Sequence, residues 1–297
     1  MWKSNVLACG YSHLRVWKGV SVMPANGEPL LIEHRNSTLK LTLNRRLSLN
    51  ALNADLLDRL NQALTDAEHD DSVRCIVITG ARRAFSSGQD IDEIVQIEES
   101  EGVGGIGLEL RDRYAPLIIR IRESPKPFIA AINGIATGAG LAIALACDVR
   151  IATDAATFIT APYRIGLMPA VGLSILLPAI LGLGRAMDFC ALYDRIDATT
   201  AYNAGLISRV VSGDDYESSI EETSRRLAGL PERAFAMTKA AFNAASLPNL
   251  REHLDREIVW QDVAARSPDH REGMQSFLEK RAPRFNPHLS NSASDPS

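Results

Sequence analysis

The chain has 297 residues, of which 46% are hydrophobic and 23% are charged, and its formal net charge at pH 7 is -4. This length and composition are enough to bury one large core, or a core with a helical appendage. The negative balance excludes a global positive field of the kind that gathers nucleic acid, so an anionic ligand needs a local basic cluster.

The sequence predicts neither a membrane span nor a metal site. The longest apolar run, Leu173 to Leu183, is shorter than the ~20 residues that a span needs. The six histidines show no metal-ligand spacing with one another, with cysteines or with carboxylates. The four cysteines, Cys9, Cys75, Cys147 and Cys190, are far apart in the sequence and have mostly apolar neighbours. This pattern is typical of reduced, buried thiols and predicts a cytoplasmic or matrix-like compartment.

Residues 1–25 are expected to form a poorly ordered N-terminal extension. They contain basic residues but no continuous apolar segment followed by a small-residue cleavage site. The segment is either a weak organelle-targeting peptide or an over-extended start before Met23, and we favour the second because no amphipathic helical stripe is visible.

The predicted elements of residues 26–195 alternate between strand and helix. Two extended runs, Leu30 to His34 and Leu39 to Asn44, are expected to form a hairpin, and residues 53–69 place leucines at helical spacing. Residues 92–107 are acidic and glycine-rich and are expected to form a mobile loop. The alternation predicts βαβ units with further strands and helices over Val73–Thr79, Arg111–Arg122, Pro127–Ile132, Gly138–Cys147, Val149–Ala152 and Ala156–Thr160.

From Leu173 onward the pattern is mainly helical. A composition shift near residue 195 divides a sheet-based core, residues 26–195, from a C-terminal helical region, residues 196–285. Only the tail, residues 286–297, has a disordered composition. Helices are expected over Leu173–Leu181, Arg185–Tyr193, Ala198–Ala204, Tyr216–Leu227, Pro231–Ala245, Leu250–Arg266 and His270–Lys280.

One motif matches the dinucleotide-binding fingerprint by letter alone. Gly102, Gly104 and Gly107 form G-x-G-x-x-G, but acidic residues precede them where the fingerprint requires a buried strand. We interpret this segment as a flexible loop.

Two other glycine-bearing loops suit the stabilisation of negative charge. The first, from Gly80 to Ile91, follows a strand, and the second, from Asn133 to Ala142, leads from a strand into a helix N-terminus without large side chains. Such a terminus presents unpaired N–H groups and a positive dipole end. Two backbone donors on one oxygen form an oxyanion hole. Either loop alone is better explained by tight packing of a strand on a helix.

Together, and in this order, the two loops resemble those of the crotonase superfamily, the enoyl-coenzyme A hydratases and isomerases. The resemblance covers about residues 30–285 and includes four further segments, Leu41–Arg45, Asn50–Asn53, Ile165–Pro169 and Glu272–Arg281. It implies an α/β fold, a crotonase-like ββα spiral with two stacked sheets, and C-terminal helices that assemble homotrimers or homohexamers. It also implies an acyl-coenzyme A substrate, with no cofactor other than the coenzyme A within it.

The resemblance implies a role for particular residues. The oxyanion donors correspond to the main-chain N–H groups of Gln89 and Ala139. Phe277 and Lys280 match positions that meet coenzyme A phosphates or adenine, often from a neighbouring subunit. The other expected substrate contacts are the backbone of Ser48, the loop residues and the segment near residue 162: Ser48, Gln89, Asp90, Ile91, Asp92, Ala139, Pro162 and Tyr163.

Three departures from the family pattern bear on the reaction. The two glutamates of the hydratases correspond to Ala142 and Pro162, and the acid of several isomerases and dehalogenases corresponds to Ala170. Methyl and pyrrolidine groups can neither orient water nor protonate an α-carbon. Ordinary hydration is therefore not expected.

Few substitutes for these acids stand nearby in the sequence. Tyr163 and Thr160 are possible proton donors, although a packed tyrosine ring is the commoner situation. Asp90 is expected to fix its loop, and Glu109 and Asp112 are expected to be helix-favouring charges. Two hypotheses stay open: an isomerase or lyase that stabilises an acyl-thioester enolate, or a coenzyme-A-binding assembly subunit with little chemistry of its own.

Overall fold

The computed structural model describes residues 27–101, 105–160, 162–193 and 195–286. The predicted N-terminal extension, and the predicted tail beyond Asn286, lie outside these residues. Among the described residues, no helix is both long enough and apolar enough to cross a bilayer.

Strands and helices alternate along the first two thirds of the chain, and helices dominate the rest. The strands of the described residues are β1 (Leu30–Arg35), β2 (Thr38–Leu43), β3 (Cys75–Gly80), β4 (Ala84–Ser86), β5 (Phe128–Ile132), β6 (Ile135–Thr137), β7 (Val149–Thr153), β8 (Thr157–Ile159), β9 (Ile196–Asp197) and β10 (Arg209–Val211). The helices are α1 (Ala54–Glu68), α2 (Ile91–Glu101), α3 (Gly105–Glu109), α4 (Ala115–Glu123), α5 (Ala139–Ala146), α6 (Leu173–Leu181), α7 (Leu183–Ala191), α8 (Ala198–Asn203), α9 (Tyr216–Ala228), α10 (Glu232–Ser246), α11 (Leu250–Ala265) and α12 (Pro268–Leu278).

The strands form two sheets. Within the described residues, one sheet has the order β1-β2-β3-β5-β7-β10 and the other has the order β4-β6-β8-β9. All neighbours in the first sheet are parallel except the β1–β2 hairpin. In the second sheet only β9 is antiparallel to its neighbour. β3 is buried along its whole length, which explains why its sequence is an apolar run and does not alternate.

Successive strand pairs place one strand in each sheet. The chain passes from β3 to β4, from β5 to β6 and from β7 to β8, with helices between the pairs, which is the expected ββα spiral. Gly80 is the last residue of β3, and Gly134 lies between β5 and β6, so both lie where the chain passes from one sheet to the other. A Cβ there would lie 2.0 Å from the Ala84 carbonyl oxygen and 2.1 Å from the Arg83 carbonyl oxygen, respectively. A side chain at Gly80 or Gly134 would therefore push the chain away from the backbone of Arg83 and Ala84 at the start of β4.

Helix α1 shows how the local sequence defines an element of the core. The side chain of Asn53 accepts a hydrogen bond from the Leu56 N–H and caps the helix. Leu57, Leu60 and Leu64 then follow at helical spacing and are fully buried. The helix therefore begins where the capping residue predicts and packs its leucine face into the main core.

The prediction of a mobile loop over residues 92–107 is wrong. Helices α2 and α3 occupy most of this segment. Ile94 and Ile106 are 1% and 0% exposed and pack in one cluster with Leu167 and Met274. Those partners come from distant parts of the chain, so the acidic and glycine-rich composition alone did not indicate them.

The sheets also extend beyond the predicted boundary at residue 195. β9 pairs with β8, and β10 pairs with β7, so the region after residue 195 supplies a short edge strand to each sheet. Strands of two or three residues show too little periodicity to be recognised in a sequence. The same reason accounts for β4 and β6, which the sequence analysis did not predict.

The described cysteines differ in their surroundings. Cys75 and Cys147 are buried, Cys190 is half-buried, and all three are free thiols. Burial raises the pKa of the Cys75 and Cys147 thiols to about 12, so both are protonated at neutral pH. Cys9 lies outside the described residues.

Candidate active site

The two glycine loops meet where β4 and β6 end. These strands are parallel neighbours, so the segments that follow them leave the sheet at the same edge. A Cβ on Gly88 would lie 2.7 Å from the Thr137 carbonyl oxygen and 3.5 Å from the Ala139 nitrogen, and a Cβ on Gly140 would lie 2.6 Å from the Cβ of Ser86. The loops therefore approach one another as closely as glycine permits.

Gln89 and Ala139 present main-chain N–H groups at this meeting point. The N–H of Leu52 donates to the Gly88 carbonyl at 2.8 Å, and the N–H of Asp90 donates to the Leu52 carbonyl at 3.0 Å. These bonds fix the chain on both sides of Gln89, whose own N–H has no acceptor among the described residues. Ala139 is the first residue of α5, a position where an N–H has no acceptor within the helix.

The segment before α1 braces the first glycine loop. The hydroxyl of Ser87 donates to the Ser48 carbonyl at 2.9 Å, which places Ser48 beside the loop. Asn50 is fully buried, and its side-chain amide donates to the Ala81 and Ala84 carbonyls at 3.0 and 2.8 Å. The loop is therefore held by buried hydrogen bonds from a second part of the chain.

Asp90 fixes the entry into α2, as the sequence analysis expected. Its carboxylate forms an ion pair with Arg45 at 2.6 Å and accepts a hydrogen bond from the Asp92 N–H at 3.1 Å. Ile91 begins α2 and is half-buried, whereas Asp92 is exposed. The carboxylate of Asp90 is thus engaged in holding the backbone that carries the N–H of Gln89.

A buried carboxyl group contacts the side chain of Gln89. The Gln89 side-chain amide donates to Oε2 of Glu109 at 2.5 Å, and Glu109 is only 3% exposed. Oε1 of Glu109 is buried without a hydrogen-bond partner among the described residues. Burial, followed by the charge of Glu93, raises the pKa of Glu109 to about 7.

Glu109 precedes a π-helical turn, Leu110–Tyr114, and π-turns are frequent at functional sites. Tyr114 closes this turn and is fully buried, with its hydroxyl 3.5 Å from the Leu52 carbonyl oxygen. Burial raises the pKa of Tyr114 well above its usual value. The interpretation of Glu109 as only a helix-favouring charge is therefore incomplete, because its carboxyl group is buried. The available signal was its spacing, three residues after Ile106 on the apolar face.

The three positions that the family resemblance assigns to catalytic acids lie in different surroundings. Ala142 is fully buried in α5, and Ala170 is 6% exposed just before α6. Pro162 begins a 3₁₀ turn, Pro162–Ile165, and is half-buried. None of the three side chains can exchange a proton.

The substitutes considered near Pro162 differ in their availability. The Thr160 hydroxyl is buried and donates to the Phe189 carbonyl at 3.4 Å. Tyr163 is 43% exposed, and partial burial raises its pKa. A raised pKa makes the Tyr163 hydroxyl a weaker acid, and the Thr160 hydroxyl is engaged with a carbonyl, so neither group resembles a prepared proton donor.

Helix α12 packs against the turn that contains Pro162 and Tyr163. Nδ1 of His270 lies 2.6 Å from the Ile165 carbonyl oxygen, and a Cβ on Gly273 would lie 2.5 Å from the Ile165 carbonyl carbon. Phe277, near the end of α12, is 51% exposed, and Lys280 follows it on the surface. No hydrogen bond or ion pair of the described residues joins these two side chains to the glycine loops.

Comparison with known proteins gives consistent matches over most of the chain. A family model described as enoyl-CoA hydratase/isomerase matches residues 33–288. The chain is 36% identical over 258 residues to 1,2-epoxyphenylacetyl-CoA isomerase of Escherichia coli K12, covering 87% of this chain and 98% of that protein. It is 41% identical over 247 residues to a probable enoyl-CoA hydratase of Rhodobacter capsulatus, covering 82% and 93%. A crystal structure of an enoyl-CoA hydratase from Mycobacterium avium subsp. paratuberculosis superposes with a TM-score of 0.77 at 37% identity, covering 87% and 98%.

Proposed function

Because the chain belongs to the enoyl-CoA hydratase/isomerase family, we propose that it stabilises an acyl-coenzyme A enolate and acts as an isomerase or lyase rather than as an ordinary hydratase. The observation that carries this proposal is the meeting of the two glycine loops, which brings the N–H groups of Gln89 and Ala139 to one edge of the sheet. Both donors are main-chain atoms, so they persist whatever side chains surround them.

In the proposed reaction, the thioester carbonyl oxygen accepts hydrogen bonds from both N–H groups. Removal of a proton from the adjacent carbon moves negative charge onto that oxygen, and the two hydrogen bonds strengthen as the charge develops. Each such donor is worth ~3 kcal/mol in the transition state. Ala139 adds the positive end of the α5 dipole.

The missing acids support isomerisation or a lyase step over hydration. Adding water requires one carboxyl to orient it and one to protonate the α-carbon, and Ala142, Pro162 and Ala170 supply neither. Moving a double bond within the acyl chain returns the abstracted proton and needs no activated water. The E. coli relative is named as an isomerase and the Rhodobacter capsulatus relative as a probable hydratase, so the choice rests on the missing acids.

The proposed substrate contacts follow the expected residues. The pantetheine and thioester lie along Gln89 to Asp92 and near Pro162 and Tyr163, and the coenzyme A contacts the Ser48 backbone, Phe277 and Lys280. The reaction uses no cofactor besides the coenzyme A of its substrate, and a cytoplasmic location is proposed.

We further propose that the chain assembles as a homotrimer or homohexamer. Helices α10 and α11 carry large apolar side chains that are 48% to 73% exposed, and another copy of the chain would cover them. These side chains are Met237, Phe242, Val259, Trp260 and Val263.

A panel of short, long and aromatic acyl-coenzyme A thioesters in heavy water tests the proposed chemistry. We expect mass spectrometry to show exchange of α-protons in at least one thioester, and calorimetry to show micromolar-class binding. Binding to the panel without exchange would favour the second hypothesis, a coenzyme-A-binding assembly subunit. Absence of both binding and exchange would refute the two hypotheses together.

A further inference from the structure

We propose that Glu109 is the proton-transferring carboxyl group of this site, an inference that rests on the proposed enolate chemistry. Its Oε2 accepts a hydrogen bond from the side chain of Gln89, the residue whose main-chain N–H is proposed to hold the thioester oxygen. A glutamine side chain reaches roughly 5 Å from its Cα. The carboxyl oxygen therefore lies at most one side-chain length plus one hydrogen bond, ~8 Å, from the Cα of Gln89.

Glu109 differs from Glu257, which is also buried, and from the half-buried Asp148, because one of its two carboxyl oxygens has no hydrogen-bond partner among the described residues. Both oxygens of Glu257 accept hydrogen bonds, including one from the Gly172 N–H at 2.7 Å. Asp148 is paired with Lys239 at 2.8 Å and with Arg122 at 3.2 Å. Oε1 of Glu109 is buried and has no such partner among the described residues. An unpaired buried oxygen is costly, and in the proposed step it is this oxygen that accepts the substrate proton.

The groups around Glu109 suit proton transfer at neutral pH. It faces Glu93 on α2, Asp58 on α1 and Arg113 on its own helical segment, and Asp262 on α11 binds the nearby N–H of Gly107 at 3.1 Å. Burial acts first and the charge of Glu93 second to hold the pKa of Glu109 at about 7. A carboxyl group poised near neutrality can both accept and return a proton.

The proposed step is the shift of a β,γ double bond to the α,β position. The Glu109 carboxylate removes an α-proton, the C–H electron pair moves into the dienolate, and the thioester oxygen carries the negative charge. The protonated Glu109 then delivers a proton, either the one that it removed or one exchanged from solvent, to the γ-carbon, and the electrons return to form the conjugated thioester. The proton and the electron pairs are conserved, and no other reactant is needed.

The test is a Glu109→Gln variant with an Asp112→Asn control, which removes an exposed carboxylate of the same turn. The probes are butanoyl-CoA for binding and α-proton exchange, and 3-butenoyl-CoA for isomerisation to crotonyl-CoA. We expect Glu109→Gln to bind butanoyl-CoA with unchanged affinity while exchange and isomerisation fall ~100- to 10,000-fold. Exchange at the wild-type rate in Glu109→Gln overturns the role of Glu109. If the wild type labels another thioester of the panel instead, that thioester replaces butanoyl-CoA in this comparison. Absence of exchange across the whole panel overturns the proposed function, and this inference with it.

A Glu93→Gln variant decides the question if Glu109→Gln also loses thioester binding. Glutamine retains an oxygen that can accept the hydrogen bonds now made to the Ala54 N–H, but it removes the charge that raises the pKa of Glu109. The base form of Glu109 is then reached at lower pH. We therefore expect the rising limb of the exchange rate against pH to move to lower pH in Glu93→Gln. A limb that stays in place overturns the proposal, because a purely structural role for Glu109 predicts no movement.

Discussion

A methyl group at Gly140 is expected to separate the two N–H groups that we propose to hold the thioester oxygen. Gly140 is the second residue of α5 and lies against Ser86 at the end of β4. The added Cβ in Gly140→Ala would lie 2.6 Å from the Cβ, 2.7 Å from the hydroxyl oxygen and 2.9 Å from the carbonyl oxygen of Ser86. Rotation of the Ser86 side chain cannot relieve the contacts with its Cβ and main chain.

The expected magnitude follows from these distances. Carbon atoms in ordinary contact are ~3.5–4.0 Å apart, so the start of α5 must move away from the first glycine loop by about 1 Å. A displacement of ~1 Å in a catalytic arrangement can reduce a rate ~100-fold. Overpacking of this kind typically costs ~1–3 kcal/mol of folding stability. We therefore expect Gly140→Ala to remain folded while α-proton exchange falls about 100-fold.

Gly184→Ala is the matched control. Gly184 is likewise the second residue of its helix, α7, but it is exposed and nothing lies within 4 Å of an added Cβ. Alanine there should stabilise the protein slightly, by ~0.5–1 kcal/mol, and leave exchange unchanged. Both variants are compared by denaturant titration and by exchange of the panel thioester that the wild type labels. Near-wild-type exchange in a folded Gly140→Ala would refute the idea that the two loops must stay in contact for activity.

Three further predictions concern hydration, pH and assembly. Crotonyl-CoA hydration by the unchanged protein should be very slow, and an Ala142→Glu, Pro162→Glu double variant should raise it, because acid–base groups contribute ~100- to 10,000-fold each; hydration at rates typical of efficient enzymes would contradict this. Burial raises the pKa of Glu257 from 4.5 to about 7, so its stabilising contribution is complete below pH 4.5 and is lost as the pH rises through about 7. The difference in unfolding free energy between the wild type and Glu257→Gln, measured by denaturant titration, should therefore fall by ~2–3 kcal/mol between about pH 5 and pH 8. A difference that does not change with pH would contradict the raised pKa of Glu257. Light scattering should give the mass of a trimer or hexamer, and a monomer at working concentration would refute the proposed assembly.

Much of the fold and part of the candidate site could be predicted from local sequence. The Asn53 cap and the leucines at helical spacing define α1, and the apolar run of β3 indicates a strand buried on both faces. The glycines of the two loops marked the segments that meet at the candidate site, because a loop that approaches another backbone requires residues without side chains. These features depend on a few neighbouring residues, and the sequence therefore determines them.

The pairing of these segments and the environment of Glu109 were decided only by the tertiary structure. β4 and β6 have three residues each, too few to show a period, and their partners come from other turns of the spiral. Glu109 has the sequence context of a helix-favouring charge, and its burial arises because α2, α11 and the loop of Gln89, which are distant in sequence, pack around the segment that carries it. The free energy of a carboxyl group depends on every charge and dipole near it in space, and distance along the chain does not reveal those neighbours.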